Sequence, residues 1–147
     1  MSKDFKIDWV LKNKIAIGPA PQLLKDIELL KEIGIKSILT LCEIENCYPN
    51  ISEFFVHRVF TLPDHKIGKA PTKKELDYCL NILDELREYR PTLVHCFASV
   101  ERSPLVCIAF LIKEKGISQQ LALEYLMQVH PGTNPLPEQL EILNKIN

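Results

Sequence analysis

Apolar positions along this chain switch between two spacings. Residues 8–17 (DWVLKNKIAI) read as one or two short strands, a hairpin turning over Asn13, and GPAP at 18–21 stops them. From Pro21 to Ile33, Leu23, Ile27, Leu30 and Ile33 recur at helical spacing, and Gly34 suits the position just past the helix end. IKSILTLC (35–42) predicts a buried strand, CEIENCYPN a loop, and FFVHRVF (54–60) a further strand. Thr72-Lys-Lys-Glu75 is a capping box, in which the Thr oxygen and the Glu carboxylate each satisfy an amide of the first turn. Leu76, Cys79, Leu80 and Leu83 follow on one face, so a helix is predicted to about Tyr89, ended by Pro91. Thr92–His95 is a short strand. Leu105–Ile112 is apolar all round, as in a helix buried on every side, and Gly116 closes it. Ser118 caps a helix to about Val129, HPGTNPLP is a loop, and Glu138–Ile146 is a last helix.

Strands alternating with helices predict an α/β three-layer sandwich, with a mostly parallel central sheet of about four or five strands flanked by helices. No repeat or linker divides residues 1–147, so one domain is expected. In such folds ligands sit beyond the carboxyl ends of the strands. Cys96 falls at one such end.

Composition narrows the classes. Hydrophobic residues make up 46% and charged residues 25%, with a net charge of -1, so no nucleic-acid partner is expected. The longest apolar run, Leu105–Ile112, has eight residues, too few to insert in a membrane. The opening residues, MSKDFKIDWV, lack the apolar core of a secretion signal, and a cytoplasmic location is the expectation. The five cysteines are odd in number and form no C-x-x-C pair, which argues against a disulfide framework and a structural zinc site. Cys79 and Cys107 read as small core residues. His57, His65 and His130 have no ligand spacing, so no metal and no cofactor is predicted. A monomer is the default.

The chemistry concentrates in LVHCFASVERSPLV (93–106). A buried strand delivers His95 and Cys96, and a tight loop leads to Arg102, Ser103 and a buried helix. A helix N-terminus presents unpaired amides and a partial positive charge, which suits an oxyanion. The loop Phe97, Ala98, Ser99, Val100, Glu101 can turn successive amides inward as an anion nest, and Arg102 can close the ring with its planar fork. The same field favours the thiolate of Cys96, the form that attacks. Ser103 can donate its hydroxyl to that sulfur. His95 reads as structural, bonding the loop backbone.

His95-Cys96-x5-Arg102-Ser103 resembles the H-C-x5-R-[ST] signature of cysteine-dependent protein tyrosine phosphatases, and the compact size resembles their dual-specificity branch. Leu62-Pro63-Asp64 is similar to that branch's general-acid loop, Asn134-Pro135 with Gln139-Leu140 to its C-terminal segment, and IAIGPAP to its opening strand and turn. The resemblance implies metal-independent hydrolysis of a phosphorylated protein or small phosphomonoester. Cys96 would attack phosphorus, Arg102 and the amides of residues 97–102 would hold the oxygens, and Asp64 would serve as acid and then base. It also implies Gln139 as a candidate for positioning water, and Cys42, at the end of ILTL, as a candidate redox partner of Cys96. A plain buried small residue remains the alternative for Cys42, and a solvated helix residue the alternative for Gln139.

Two positions depart from the family pattern. Ser99 stands where most members have Gly, and would carry backbone strain if its φ is positive. Glu101 stands where a small residue is usual. It is expected to face outward or pair with a base, and it is the second candidate acid, because S-x-E-R resembles the cell-division phosphatases built on a rhodanese fold. The alternatives are therefore a catalytically silent phosphate-binding module and a rhodanese-like thiolate enzyme. The loop side chains include no Lys or Arg, which points to monophosphate substrates ahead of polyphosphorylated lipids.

Overall fold

The computed structural model describes residues 5–64 and 68–144. Five strands, β1 (Asp8–Leu11), β2 (Ile15–Gly18), β3 (Ser37–Thr40), β4 (Val56–Val59) and β5 (Thr92–His95), form one sheet in the order β1-β2-β5-β3-β4. β1 runs antiparallel to β2 across the predicted turn, where Asn13 adopts φ 62, and the other pairings are parallel. Gly18 and Thr40 both lie in register with His95. The carboxyl ends of three neighbouring strands are therefore level, and Cys96 leaves the middle of that edge.

Period-2 alternation explains why the strands read as near-continuous apolar runs. Ile15, Ile17, Leu39 and Val94 enter one core, while Ala16, Ile38 and Leu93 enter the other, so both sheet faces are covered. β3 and β4 are shorter than predicted. Just past their ends, Leu41 N still donates to the His95 carbonyl and Phe60 N to the Thr40 carbonyl, each at 2.9 Å.

α1 (Leu24–Ile33) covers one face through Ile27 and Leu30. It starts later than Pro21, because Asp26 Oδ2 accepts the amides of Gln22 and Leu23 at 3.0 Å and so sets the first turn there. Leu23, predicted on the apolar face, is half exposed as a result. The other face carries α2 (Lys73–Glu85), α3 (Arg102–Lys115), α4 (Gln119–Val129) and α5 (Pro137–Leu143).

The Thr72 capping box forms as predicted: Thr72 N donates to Glu75 Oε1 at 2.8 Å, and Glu75 N to Thr72 Oγ1 at 3.1 Å. Residues 86–89 finish α2 as a tighter 3-10 turn. Ser118 Oγ caps α4 by accepting from Leu121 N. Leu105–Ile112 is buried throughout, with α3 lying between the sheet and its neighbouring helices. Gly34 and Gly116 end α1 and α3 with φ of 102 and 65, which a side chain would strain. Cys79 and Cys107 lie in the core, and burial pushes the Cys79 thiol up to about 12 and the Cys107 thiol higher still. The last helix begins at Pro137, one residue before its predicted start, and its predicted final residues 145–146 lie outside those described.

Candidate active site

Cys96 follows β5 and Arg102 opens α3, so a five-residue loop joins the sheet edge to a helix N-terminus. Cys96 is 3% exposed, and its Sγ lies 3.3 Å from Ser103 Oγ and 3.5 Å from Ser103 N. An amide of the first turn of α3 thus points at the sulfur, where a negative charge is stabilised by both the bond and the helix field. Above the sulfur opens a cleft of about 120 Å³, lined by Asp64, Cys96, Phe97, Ala98, Val100, Glu101 and Arg102. The sequence reading placed these seven residues at one site, and the fold brings them to one cleft.

Arg102 is 6% exposed, and Nη1 donates to the carbonyls of Leu62 at 3.2 Å and Leu41 at 3.5 Å. Glu43 Oε1 and Asp64 Oδ2 approach its guanidinium at 3.7 and 3.8 Å. These partners hold the guanidinium in place before any ligand arrives. Leu62 is fully buried, and its amide donates to the Leu41 carbonyl, which anchors the segment carrying Asp64. Of the two expectations for Glu101, outward or paired with a base, the outward one does not hold: it lines the cleft, and its Oε1 accepts from Gln139 Nε2 at 3.3 Å. Gln139 is 1% exposed rather than solvated, because its Oε1 also accepts the Leu136 amide at 2.7 Å.

The loop is tied from both sides. Ala20 N donates to the Phe97 carbonyl at 3.0 Å, and Asn134 N to the Val100 carbonyl at 2.9 Å. This is what the GPAP turn and the Asn134-Pro135 segment contribute physically. Ser99 takes φ 61, the condition under which it was expected to carry backbone strain. Its side chain turns behind the loop instead of lining the cleft, with Oγ 2.9 Å from Ser103 Oγ and 3.0 Å from His130 Nε2. His130 Nε2 also lies 2.8 Å from the Ser99 carbonyl, and Nδ1 lies 2.7 Å from Asp8 Oδ2. Sequence reasoning missed this role for His130, since a search for ligand spacing does not detect a bond between residues 8 and 130.

His95 is fully buried and bonds the loop backbone, with Nδ1 donating to the Cys96 carbonyl at 3.1 Å. Its Nε2 therefore accepts from Thr40 Oγ1 at 2.8 Å, which leaves Thr40 to accept from His57 Nε2 at 2.7 Å. His57 sits at about 4, below the usual imidazole range, first because burial disfavours the charged ring and then because His95 and Arg58 lie near it. An unfolded ring takes its proton near 6.5. Between these values the unfolded chain binds more protons, so stability is full above 6.5 and falls as pH drops towards 4. Denaturant melts from about pH 7 to about pH 4 should show that loss, flattened in His57→Gln. Equal pH dependence in both proteins would remove His57 as its source.

Cys42 is fully buried beside Cys47, and the two sulfurs and a His95 ring nitrogen lie within 4.8 Å of one another. The hydrogen bond between the thiols, followed by burial, pushes Cys42 up, and the same bond holds Cys47 below the usual thiol range. Spacing did not anticipate this cluster. Both His95 nitrogens are already engaged by Thr40 and Cys96.

The strand order, and a thiol set where β5 passes into the amide end of α3, define an α/β domain with an anion-binding thiol loop. Residues 17–147 match the family model described as dual specificity phosphatase, catalytic domain. The chain belongs to that family. It is 30% identical over 110 residues to dual specificity protein phosphatase 1 of Arabidopsis thaliana, covering 73% of this chain and 52% of that protein. It is 32% identical over 103 residues to dual specificity protein phosphatase 12 of Mus musculus, covering 69% of this chain and 30% of that protein. The chain thus spans about half, or less, of the length of these relatives. Among solved structures, Tk-PTP in its active form superposes with a TM-score of 0.82 at 22% identity over 95% of both chains, a likeness of fold. Among the described residues no helix is long and apolar enough to cross a membrane.

Proposed function

We propose that this domain hydrolyses phosphate monoesters through a cysteinyl-phosphate. The observation that carries the reading is the Cys96 sulfur, held at the amide end of α3 in a cleft it shares with Arg102 and Asp64. The Cys96 thiolate attacks phosphorus, forming an S–P bond as the ester O–P bond breaks, and Asp64 gives its proton to the departing oxygen. Asp64 then takes a proton from water as that water attacks phosphorus. The S–P bond breaks, inorganic phosphate leaves, and the thiolate returns to the Ser103 hydroxyl. Arg102 and the amides of Phe97, Ala98, Ser99, Val100 and Glu101 stabilise the equatorial oxygens. Gln139, fixed against Glu101, positions the attacking water.

Metal and cofactor play no part in this scheme. The substrate class is a phosphorylated protein or small phosphomonoester, in a monomeric, cytoplasmic setting without nucleic acid. The lining residues Phe97, Ala98, Val100 and Glu101 bring no base to meet a second phosphate. Phosphate release from an aryl phosphate, blocked by vanadate, tests the reading. Vanadate binding without turnover would overturn it in favour of the silent phosphate-binding module, and sulfur transfer without phosphate release in favour of the rhodanese-like enzyme.

Cys42 is proposed as a redox partner of Cys96. Peroxide converts the Cys96 thiolate to a sulfenic acid with release of hydroxide, and the Cys42 thiol condenses with it, releasing water and forming the disulfide. Mass mapping after mild peroxide should find a Cys42–Cys96 crosslink. A Cys42–Cys47 crosslink with sulfinic Cys96 would overturn the assignment.

A further inference from the structure

His130 and Asp8 lie behind the phosphate loop, away from the cleft, and the hydrolytic scheme does not use them. Yet they begin an unbroken series of short contacts that ends at the nucleophile. The series runs from Asp8 Oδ2 to His130 Nδ1 (2.7 Å), from His130 Nε2 to Ser99 Oγ (3.0 Å), from there to Ser103 Oγ (2.9 Å), and finally to Cys96 Sγ (3.3 Å). Ser99, Ser103 and His130 are all buried.

Donor and acceptor accounting gives the series a direction. The Ser99 carbonyl can only accept, and it lies 2.8 Å from His130 Nε2, so that nitrogen carries a hydrogen. The Asp8 carboxylate faces Nδ1, so that nitrogen carries one too. The Nε2–H is shared between the Ser99 carbonyl and Ser99 Oγ, and the Ser99 hydroxyl is an acceptor there. Its single hydrogen then goes to Ser103 Oγ, and the single hydrogen of Ser103 goes to the Cys96 sulfur. Were the first link reversed, Ser99 would donate to the imidazole, Ser103 would donate to Ser99, and the sulfur would lose its hydroxyl donor. The hydrogens thus run one way, from the ring through two oriented hydroxyls to the sulfur.

We propose that His130, held by Asp8, is a positioning residue that acts through Ser99 and Ser103 to aim a hydroxyl at Cys96 and keep its sulfur as the thiolate. This deepens the phosphatase reading and rests on Cys96 being its nucleophile. It gives a physical reason for a serine at the family's glycine position. The hydroxyl completes the relay, and its bonds hold a backbone at φ 61 that glycine would adopt without strain.

Ser99→Gly isolates the relay, since glycine accepts this φ and keeps the carbonyl bonded to His130 while removing only the hydroxyl. The measurement is the rate of Cys96 alkylation by iodoacetamide across pH, with the site assigned by mass mapping and folding checked by thermal melts. At about pH 6, Ser99→Gly and His130→Gln should each slow alkylation about 3- to 10-fold, and the gap should close at high pH where the sulfur ionises regardless. The double variant should be no slower than either single one, because the links act as a unit. A folded Ser99→Gly protein with the wild-type alkylation profile would overturn the proposal, as would slowing that multiplies in the double variant. Should His130→Gln fail to fold, Ser99→Gly alone decides. Alkylation reads the sulfur without any turnover. An inactive wild-type protein would therefore defeat the phosphatase reading and leave this result standing on its own.

Discussion

Replacing Cys96 with serine should lower aryl-phosphate hydrolysis by at least about 10⁴-fold while leaving the fold and oxyanion binding intact. The substitution changes one atom at a position that is 3% exposed, so packing is little disturbed. What changes is the charge. The Ser103 amide, the Ser103 hydroxyl and the field of α3 all favour negative charge on the sulfur, whereas a serine hydroxyl ionises far too weakly for the same donors to strip its proton. The arginine and the loop remain, and the negative charge that would repel a dianion is gone. Vanadate or tungstate should therefore bind Cys96→Ser as tightly as wild type, or more tightly. Turnover within about tenfold of wild type would show that the chemistry does not pass through this sulfur.

Asp64→Asn should cost about 10²- to 10³-fold, and the loss should depend on the leaving group. An alkyl alkoxide cannot depart without a proton, so phosphoserine-like esters should suffer most. A nitrophenolate leaves with little help and should suffer least. Asp64 reaches the cleft beside Arg102, at 3.8 Å, whereas Glu101 is bonded to the Gln139 amide. Glu101→Gln is accordingly expected to lose less than about fivefold, with no leaving-group dependence. Reversal of that ranking would transfer the acid role to Glu101 and bring the site closer in logic to the S-x-E-R enzymes. The measurement is kcat/KM for both variants over a series of esters of graded leaving-group acidity.

Glu101 also shows where local reading stops. Its identity and its place on the loop were plain from the motif, and a carboxylate beside an anion site was expected to turn away or find a base. The structure turns it toward the cleft and adds an amide from α5, supplied by a glutamine that packing buries and the Leu136 amide holds in place. Ser99 is a similar case. Its place in a tight loop was plain from the motif, but its positive φ and the two partners that exploit it, Ser103 from one turn ahead and His130 from the far end of α4, were not. Cys42 is intermediate. Its burial at the end of β3 was legible, while the thiol facing it came from the loop read only as CEIENCYPN.

By itself the amino-acid order determined whatever depends on neighbours a few residues apart. That includes the capped start of α2 at Thr72, the cap of α4 at Ser118, the glycine ends at 34 and 116, the alternation that buries both sheet faces, and the Cys96-to-Arg102 loop at a helix mouth. Tertiary structure alone decided the strand order, the Cys42–Cys47–His95 cluster and the series of contacts from Asp8 to Cys96. The physical reason is one of range. Caps, turns and periodicity are satisfied within a turn or a pleat, so their signals are written contiguously. Contacts such as His130 to Asp8 form only after β1 and α4 pack on one sheet, and no local pattern encodes which buried polar groups that packing brings face to face.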